Sequence, residues 1–167
     1  MTTSTQSSIS CDSIINKFSS DFDEIINNDF FKTFTKMSDE QFSMWLSQEF
    51  TFVQELMKNF ASCLQKAPNV NGVKTFAKGM TFLNDNLRIL ESKMMEHKIQ
   101  PTEAEPKDEN RDYIEFLRSI RDKDYKFQAA MIWLICMLYN QVIERNQVPN
   151  IATEIVQVWR DLPFLNL

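Results

Sequence analysis

The chain has very little glycine and histidine. Its 167 residues include two glycines, Gly72 and Gly79, and one histidine, His97. With so little glycine, it contains no glycine-rich phosphate loop and no G-x-S-x-G nucleophile elbow. A single histidine leaves no Glu-x-x-His pair for a di-iron site, and its place beside a polar connector argues against haem ligation. We therefore expect no metal and no cofactor.

Cysteines and clustered basic residues are also scarce. Cys11, Cys63 and Cys136 are odd in number and lack close metal-type spacing, which is typical of reduced thiols in a cytoplasmic protein. The net charge is -5, and no cluster of Lys and Arg is present, which argues against nucleic acid and anionic membranes as partners. The sequence shows no secretory signal and no apolar run of about 20 residues. Small molecules or proteins are the expected partners.

The five prolines separate long stretches of helical periodicity, so the sequence predicts an all-α bundle. Residues 1–9 are polar and rich in Ser and Thr, and we expect a disordered tail there. Residues 10–167 then form a single domain. The apolar periodicity predicts helices over 10–27, 38–67, 72–98, 112–121, 129–139 and 151–160, with a helical turn around Phe30, Phe31 and Phe34.

The longest apolar run, residues 129–139, predicts a buried central helix because it has no polar face. Trp133, Cys136 and Tyr139 follow one another at spacings of three, so we expect their side chains to face one volume. They either fill the core or form the wall of a small-molecule pocket. Composition favours core filling.

Glu49 interrupts an otherwise apolar helical stripe. The helix begins at Ser38, which with Gln41 forms a capping-box pattern, and its apolar residues recur on both sides of position 49. A carboxylate within such a stripe costs several kcal/mol if it stays charged and unpaired. Glu49 either reaches solvent at the edge of the stripe or is an acid held in a pocket with a raised pKa.

Three further positions are weaker candidates. Tyr113 lies on the apolar face of its short helix, so it is expected to point inward. Asn84 borders the apolar stripe of the helix over 72–98, and Asp85 lies on the next ridge, so a solvated edge is the ordinary interpretation of both.

An ordered series of motifs resembles the TenA family, especially its eukaryotic, plant-type branch of seed maturation proteins. The series covers about residues 28–164. Its motifs, in chain order, are Ser47-Gln48-Glu49-Phe50-Thr51-Phe52-Val53, Lys66-Ala67-Pro68, Leu83-Asn84-Asp85, Tyr113-x-x-Phe116-Leu117 and Trp133-x-x-Cys136-x-x-Tyr139.

This resemblance implies a haem-oxygenase-like bundle without haem, which hydrolyses aminopyrimidine breakdown products of thiamin. Glu49 falls on the family's pyrimidine-binding acid, and Cys136 falls near its catalytic residue. Substrate-binding positions implied by the resemblance are Phe52, Asn84, Asp85, Tyr113, Trp133, Tyr139 and Trp159.

The chain also departs from the family's pattern. Cys136 falls where the plant-type branch has a glutamate, one position away from the cysteine of the other branch. Asn86 and Gln141 replace acidic residues, and no counterpart of the family's closing C-terminal helix is evident. The alternative is therefore a catalytically degenerate relative that binds a pyrimidine or a partner protein. Because apolar faces would lack cover without that helix, we also expect a homodimer or higher homo-oligomer.

Overall fold

The structure, a computed structural model, describes residues 15–28, 36–100 and 106–145. These ranges contain five main helices and no strand, which confirms the all-α prediction. The predicted tail, the turn around Phe30, the helix over 151–160 and the absence of a closing helix concern residues outside these ranges. The helices are α1 (Ser19–Ile26), α2 (Asp39–Lys66), α3 (Val70–Glu96), α4 (Asp108–Ile120) and α5 (Tyr125–Arg145).

Helix α2 starts at a complete capping box, as the sequence predicts. The backbone N–H of Gln41 donates to Ser38 Oγ at 3.2 Å, and the backbone N–H of Ser38 donates to Gln41 Oε1 at 2.9 Å. Helix α3 begins before Gly72, because Asn69 caps it by accepting a 2.9 Å hydrogen bond from the backbone N–H of Gly72. Each cap satisfies backbone donors that the first helical turn leaves unpaired.

The buried stripe of α2 forms the centre of the bundle. Helix α3 runs antiparallel to it, since Phe60 contacts Phe76 near one end and Phe42 contacts His97 near the other. Helix α5 is also antiparallel to α2, whereas α4 runs parallel to α2. The main core consists of Phe42, Leu46, Phe50, Phe52, Val53, Leu56, Phe60, Cys63, Phe76, Leu83, Leu90, Met94, Leu117, Ile120, Ile132, Ile135 and Cys136.

The connection between α4 and α5 is held at the C-terminal end of α2. Lys66 Nζ donates to the carbonyl oxygens of Arg121 and Lys123 at 2.6 and 3.0 Å. The buried Gln128 amide donates to the same two carbonyls at 2.9 and 2.6 Å. We call this arrangement the α4–α5 corner; it fixes where α5 enters the core.

Helix α1 packs on a different face of α5. Phe22 and Ile26 contact Met137, and Trp133 packs in this second cluster, whereas Cys136 belongs to the main core. The expectation that Trp133, Cys136 and Tyr139 face one volume is therefore wrong for Trp133. Each step of three residues falls about 60° short of a full turn, so the first and last of the three point about 120° apart.

None of the helices within the described ranges is long and apolar enough to cross a bilayer.

Candidate functional site

Glu49 is buried inside the bundle, at the place where the apolar period of α2 puts it. Its side chain is 5% exposed, and Leu46 and Val53 beside it on the stripe are fully buried. Tyr139 on α5 donates a hydrogen bond from its hydroxyl to Glu49 Oε2 at 3.4 Å. Burial raises the pKa of Glu49 to about 7, although the hydrogen bond from Tyr139 acts in the opposite direction. Near neutral pH the protonated and ionised forms are therefore both populated.

Nearly parallel aromatic rings from three helices stack beside this acid. The Phe52 ring on α2 lies 5.0 Å from the Tyr139 ring, with 3° between the ring planes. It also lies 5.5 Å from the Tyr113 ring on α4, with 19° between the planes. Phe116, one turn further along α4, stacks on Tyr113 at 6.2 Å. We call Glu49, Phe52, Tyr113, Cys136 and Tyr139 the acid–aromatic cluster.

Both phenols in the cluster remain neutral at physiological pH. Burial raises the pKa of Tyr113, and the nearby Cys136 and Glu49 raise it further. Burial also raises the pKa of Tyr139 well above its usual value, with further contributions from Glu49 and Tyr113. Each phenol is therefore a hydrogen-bond donor that does not compete with Glu49 for negative charge.

Cys136 lies fully buried in the same neighbourhood. Burial raises the pKa of its thiol to about 12. A catalytic thiol is activated when a neighbouring cation or base lowers its pKa, so this environment acts in the opposite direction.

The cluster has the chemistry to hold a flat, uncharged heterocycle. A protonated carboxyl group presents one O–H donor and one carbonyl acceptor side by side. That pair matches a ring nitrogen next to an exocyclic amine, which offers an acceptor and a donor. The aromatic rings of Phe52, Tyr113 and Tyr139 surround this group with apolar surface.

Several of the predicted site residues are not brought to this cluster. Trp133 packs against α1, as described above. Asn84 and Asp85 are exposed on α3, where Asp85 lines a surface depression with Arg88 and Ser92. They follow the ordinary solvated-edge interpretation because their ridge faces away from α2. Trp159 lies outside the described residues. Within the described ranges, no group of His, Cys, Asp and Glu is placed to hold a metal ion.

Sequence reasoning missed the buried Glu55. Its carboxylate pairs with Lys58 at 2.7 Å, with Arg121 at 3.0 Å and with Arg118 at 3.3 Å. Burial opposes ionisation of Glu55, but the hydrogen bonds and charges of these cations outweigh burial and lower its pKa. The available signal was the pair Arg118 and Arg121, which share one face of α4.

Comparisons with known proteins agree with this architecture. The model of the TENA/THI-4/PQQC family matches residues 8–155. An X-ray structure of a TenA homologue from Pyrococcus furiosus superposes with a TM-score of 0.75 at 19% sequence identity, covering 93% of this chain and 78% of that chain. At this identity the likeness shows the fold alone, which is consistent with a haem-oxygenase-like bundle. No curated protein gives a match. Because the family model spans most of its length, the chain belongs to the TENA/THI-4/PQQC family.

Proposed function

We propose that the protein is a thiamin-salvage hydrolase that converts an aminomethyl- or formylaminomethyl-pyrimidine to hydroxymethylpyrimidine. The observation that carries the proposal is the buried Glu49, which accepts a hydrogen bond from the Tyr139 hydroxyl and lies beside the stacked ring of Phe52. Family membership and the donor–acceptor pattern of the site support the same substrate class.

In this proposal Glu49 binds the aminopyrimidine ring. Its carboxyl O–H donates to a ring nitrogen while its carbonyl oxygen accepts from the exocyclic amine. Phe52, Tyr113 and Tyr139 supply the surrounding aromatic surface. A pKa near 7 lets Glu49 take the protonated form that this pairing uses without a large additional cost at neutral pH.

Cys136 has two possible roles in the reaction. As nucleophile, its thiolate would attack the exocyclic methylene carbon and displace the nitrogen group, which after protonation leaves as ammonia from the aminomethyl substrate or as formamide from the formylaminomethyl substrate. Water would then break the C–S bond, forming the hydroxymethyl product and returning the thiol. Otherwise Cys136 only occupies the place of a catalytic glutamate, and water attacks the methylene carbon directly, forming the C–O bond of the product as the C–N bond breaks and the protonated nitrogen group leaves.

The second candidate function is pyrimidine or partner-protein binding without turnover. It is favoured by the burial of Cys136, which raises the thiol pKa to about 12 and leaves very little thiolate at neutral pH. In this version Glu49 and the stacked rings bind the ligand, and no bond is broken.

Chromatographic detection of hydroxymethylpyrimidine released by the purified protein separates these candidates. We expect turnover by the unaltered protein and a loss of about a hundredfold in kcat/KM for Glu49→Gln. Glu96→Gln is the matched control, because Glu96 is exposed on α3. Activity unaffected by Cys136→Ser would remove the thiol from the mechanism.

Binding without turnover supports the second candidate function. Calorimetry with hydroxymethylpyrimidine tests whether the ligand in that function is a pyrimidine. If neither turnover nor pyrimidine binding is found, both pyrimidine-based functions fail.

We further propose membership in the plant-type branch, a cytoplasmic location and a homo-oligomeric state. The branch rests on the motif series, and the location rests on the unpaired cysteines Cys63 and Cys136. The oligomer is supported by exposed apolar side chains such as Phe116 and Phe127, which are 40% and 46% exposed. Sedimentation that shows a stable monomer would contradict the oligomer.

A further inference from the structure

Helix α4 carries Tyr113 into the acid–aromatic cluster, yet α4 is short and makes its polar contacts with α2 near its two ends. Tyr113 stacks on Phe52, and the stack depends on how α4 lies along α2. Two polar side chains of α2, Gln48 and Glu55, lie about two turns apart and therefore on one face of the helix. Phe52 lies between them on the same face.

Gln48 holds the N-terminal end of α4. Its Oε1 atom accepts hydrogen bonds at 2.9 Å from the backbone N–H of Lys107 and from the Asn110 side-chain amide. The same amide group also donates to the backbone carbonyl of Gln48 at 3.3 Å. Lys107 is the N-cap residue of α4, so Gln48 satisfies a backbone donor at the start of that helix.

Glu55 holds the other end of α4. Its two carboxylate oxygens pair separately with Arg118 and Arg121, so the contact fixes both the position and the rotation of the helix. Glu55 is 4% exposed, whereas the side chain of Arg121 is 26% exposed. The pairing therefore closes the edge of the α2–α4 interface next to the aromatic rings.

We propose that Gln48 and Glu55 are positioning residues of the acid–aromatic cluster, clamping α4 on α2 so that Tyr113 stacks on Phe52 and keeps water away from Glu49. Neither residue belongs to the acid–aromatic cluster itself. The proposal rests on the proposed function where it concerns pyrimidine binding, and on geometry alone where it concerns the surroundings of Glu49.

Among the residues that the structure describes, the titratable groups that face Glu49 come from two helices besides its own. Tyr139 and Cys136 approach from α5, and Tyr113 approaches from α4. Of these, only Tyr113 moves when α4 shifts. If α4 shifts on α2, water therefore reaches Glu49 from the side that Tyr113 covers.

The test compares Gln48→Ala with Gln48→Glu in the full chain. Alanine removes every side-chain contact to α4. Glutamate keeps an oxygen that accepts from Lys107 and Asn110, and its charge is favourable at a helix N-terminus. Gln54→Ala is the matched control, since Gln54 is exposed on the same helix. Glu55→Gln tests the other end of the clamp, with Glu96→Gln as its control.

Two quantities are measured. The titration of Glu49 is followed by NMR of carboxyl-labelled glutamate without any ligand, with its signal assigned from Glu49→Gln. The dissociation constant of hydroxymethylpyrimidine is measured by calorimetry. We expect Gln48→Ala and Glu55→Gln to move the Glu49 midpoint towards acid and to weaken binding about tenfold. We expect Gln48→Glu to keep the affinity and not to move the midpoint towards acid, since an added carboxylate near Glu49 favours its protonated form. Both controls should keep the unaltered behaviour.

Each outcome supports or overturns the proposal. One result is that Gln48→Ala and Glu55→Gln lower only the unfolding temperature, while the acid dissociation constant of Glu49 and the affinity stay within twofold of the unaltered values. In that case the two residues merely stabilise the fold and the proposal is refuted. If the unaltered protein does not bind the pyrimidine but the midpoint still shifts, pyrimidine binding fails while the positioning role stands.

Discussion

Ionisation of Glu49 should couple folding stability to pH. The pKa of Glu49 is about 7 in the folded protein, against an ordinary value of 4.5. This difference corresponds to about 3 kcal/mol, since one pKa unit is worth about 1.4 kcal/mol. Well below pH 4.5 the carboxyl group is protonated in both states and the burial costs nothing. As pH rises towards 7, unfolding releases a proton, so stability falls, and the loss is complete above pH 7.

The substitution Glu49→Gln isolates this effect because it keeps the size and hydrogen bonding of the side chain and removes the charge. Between about pH 5 and about pH 8, the free energy of unfolding of the variant should rise relative to the unaltered protein by about 2.5 kcal/mol, the rest of the effect lying below that range. Urea unfolding of both proteins at several pH values measures it. Glu96→Gln, on the surface of α3, should show no such trend.

The refuting result is a constant difference. If the difference between the free energies of unfolding of the two proteins stays constant within about 0.5 kcal/mol across that pH range, Glu49 is solvated or paired in its charged form. The interpretation of the cluster as a neutral-acid site would then be wrong.

Three further predictions concern the cap of α2, the thiols and the ring stack. Ser38→Ala should lower the free energy of unfolding, measured with urea, by about 1 kcal/mol, whereas Ser38→Asp, which keeps a capping oxygen, should keep the unaltered value. Equal losses in the two variants would contradict a role of the capping box. Cys136 and Cys63 should resist iodoacetamide in the folded protein, because burial raises both pKa values to about 12; rapid labelling of either at neutral pH, located by mass spectrometry, would contradict their burial. Phe52→Leu should lower the free energy of unfolding by about 2 kcal/mol because it removes two ring stacks, and Phe116→Leu, at an exposed position with one stack, should cost less than half of that.

The sequence predicts the helices well because their signals are local. The capping box places the start of α2, and Pro68 places its end close to Lys66. The place of Glu49 on the apolar stripe of α2 also follows from periodicity, whereas its burial was one of two alternatives that the sequence left open. Its pKa does not follow, because the shift depends on burial by several helices and on a hydroxyl from α5.

Contacts between distant helices explain what was missed. Glu55 looks like an ordinary surface residue until Arg118 and Arg121 are brought beside it by the parallel packing of α4. The position of Trp133 was predicted wrongly because each spacing of three residues rotates the side chain by about 60° around the helix. One such step keeps two residues on the same face, whereas two steps do not. Neither the packing of α4 on α2 nor that of α1 on α5 can be obtained from one helix alone.

The α4–α5 corner has a consequence for how the molecule opens. Lys66 from α2 and Gln128 from α5 donate to the same two carbonyl oxygens, so each donor partly replaces the other when one is lost. Loss of both should therefore cost more than the sum of the single losses. Since the two donors belong to different helices, freeing the corner requires hydrogen bonds from both α2 and α5 to break. The corner should thus open less readily than an ordinary connection between helices, which is usually among the first parts of a bundle to open.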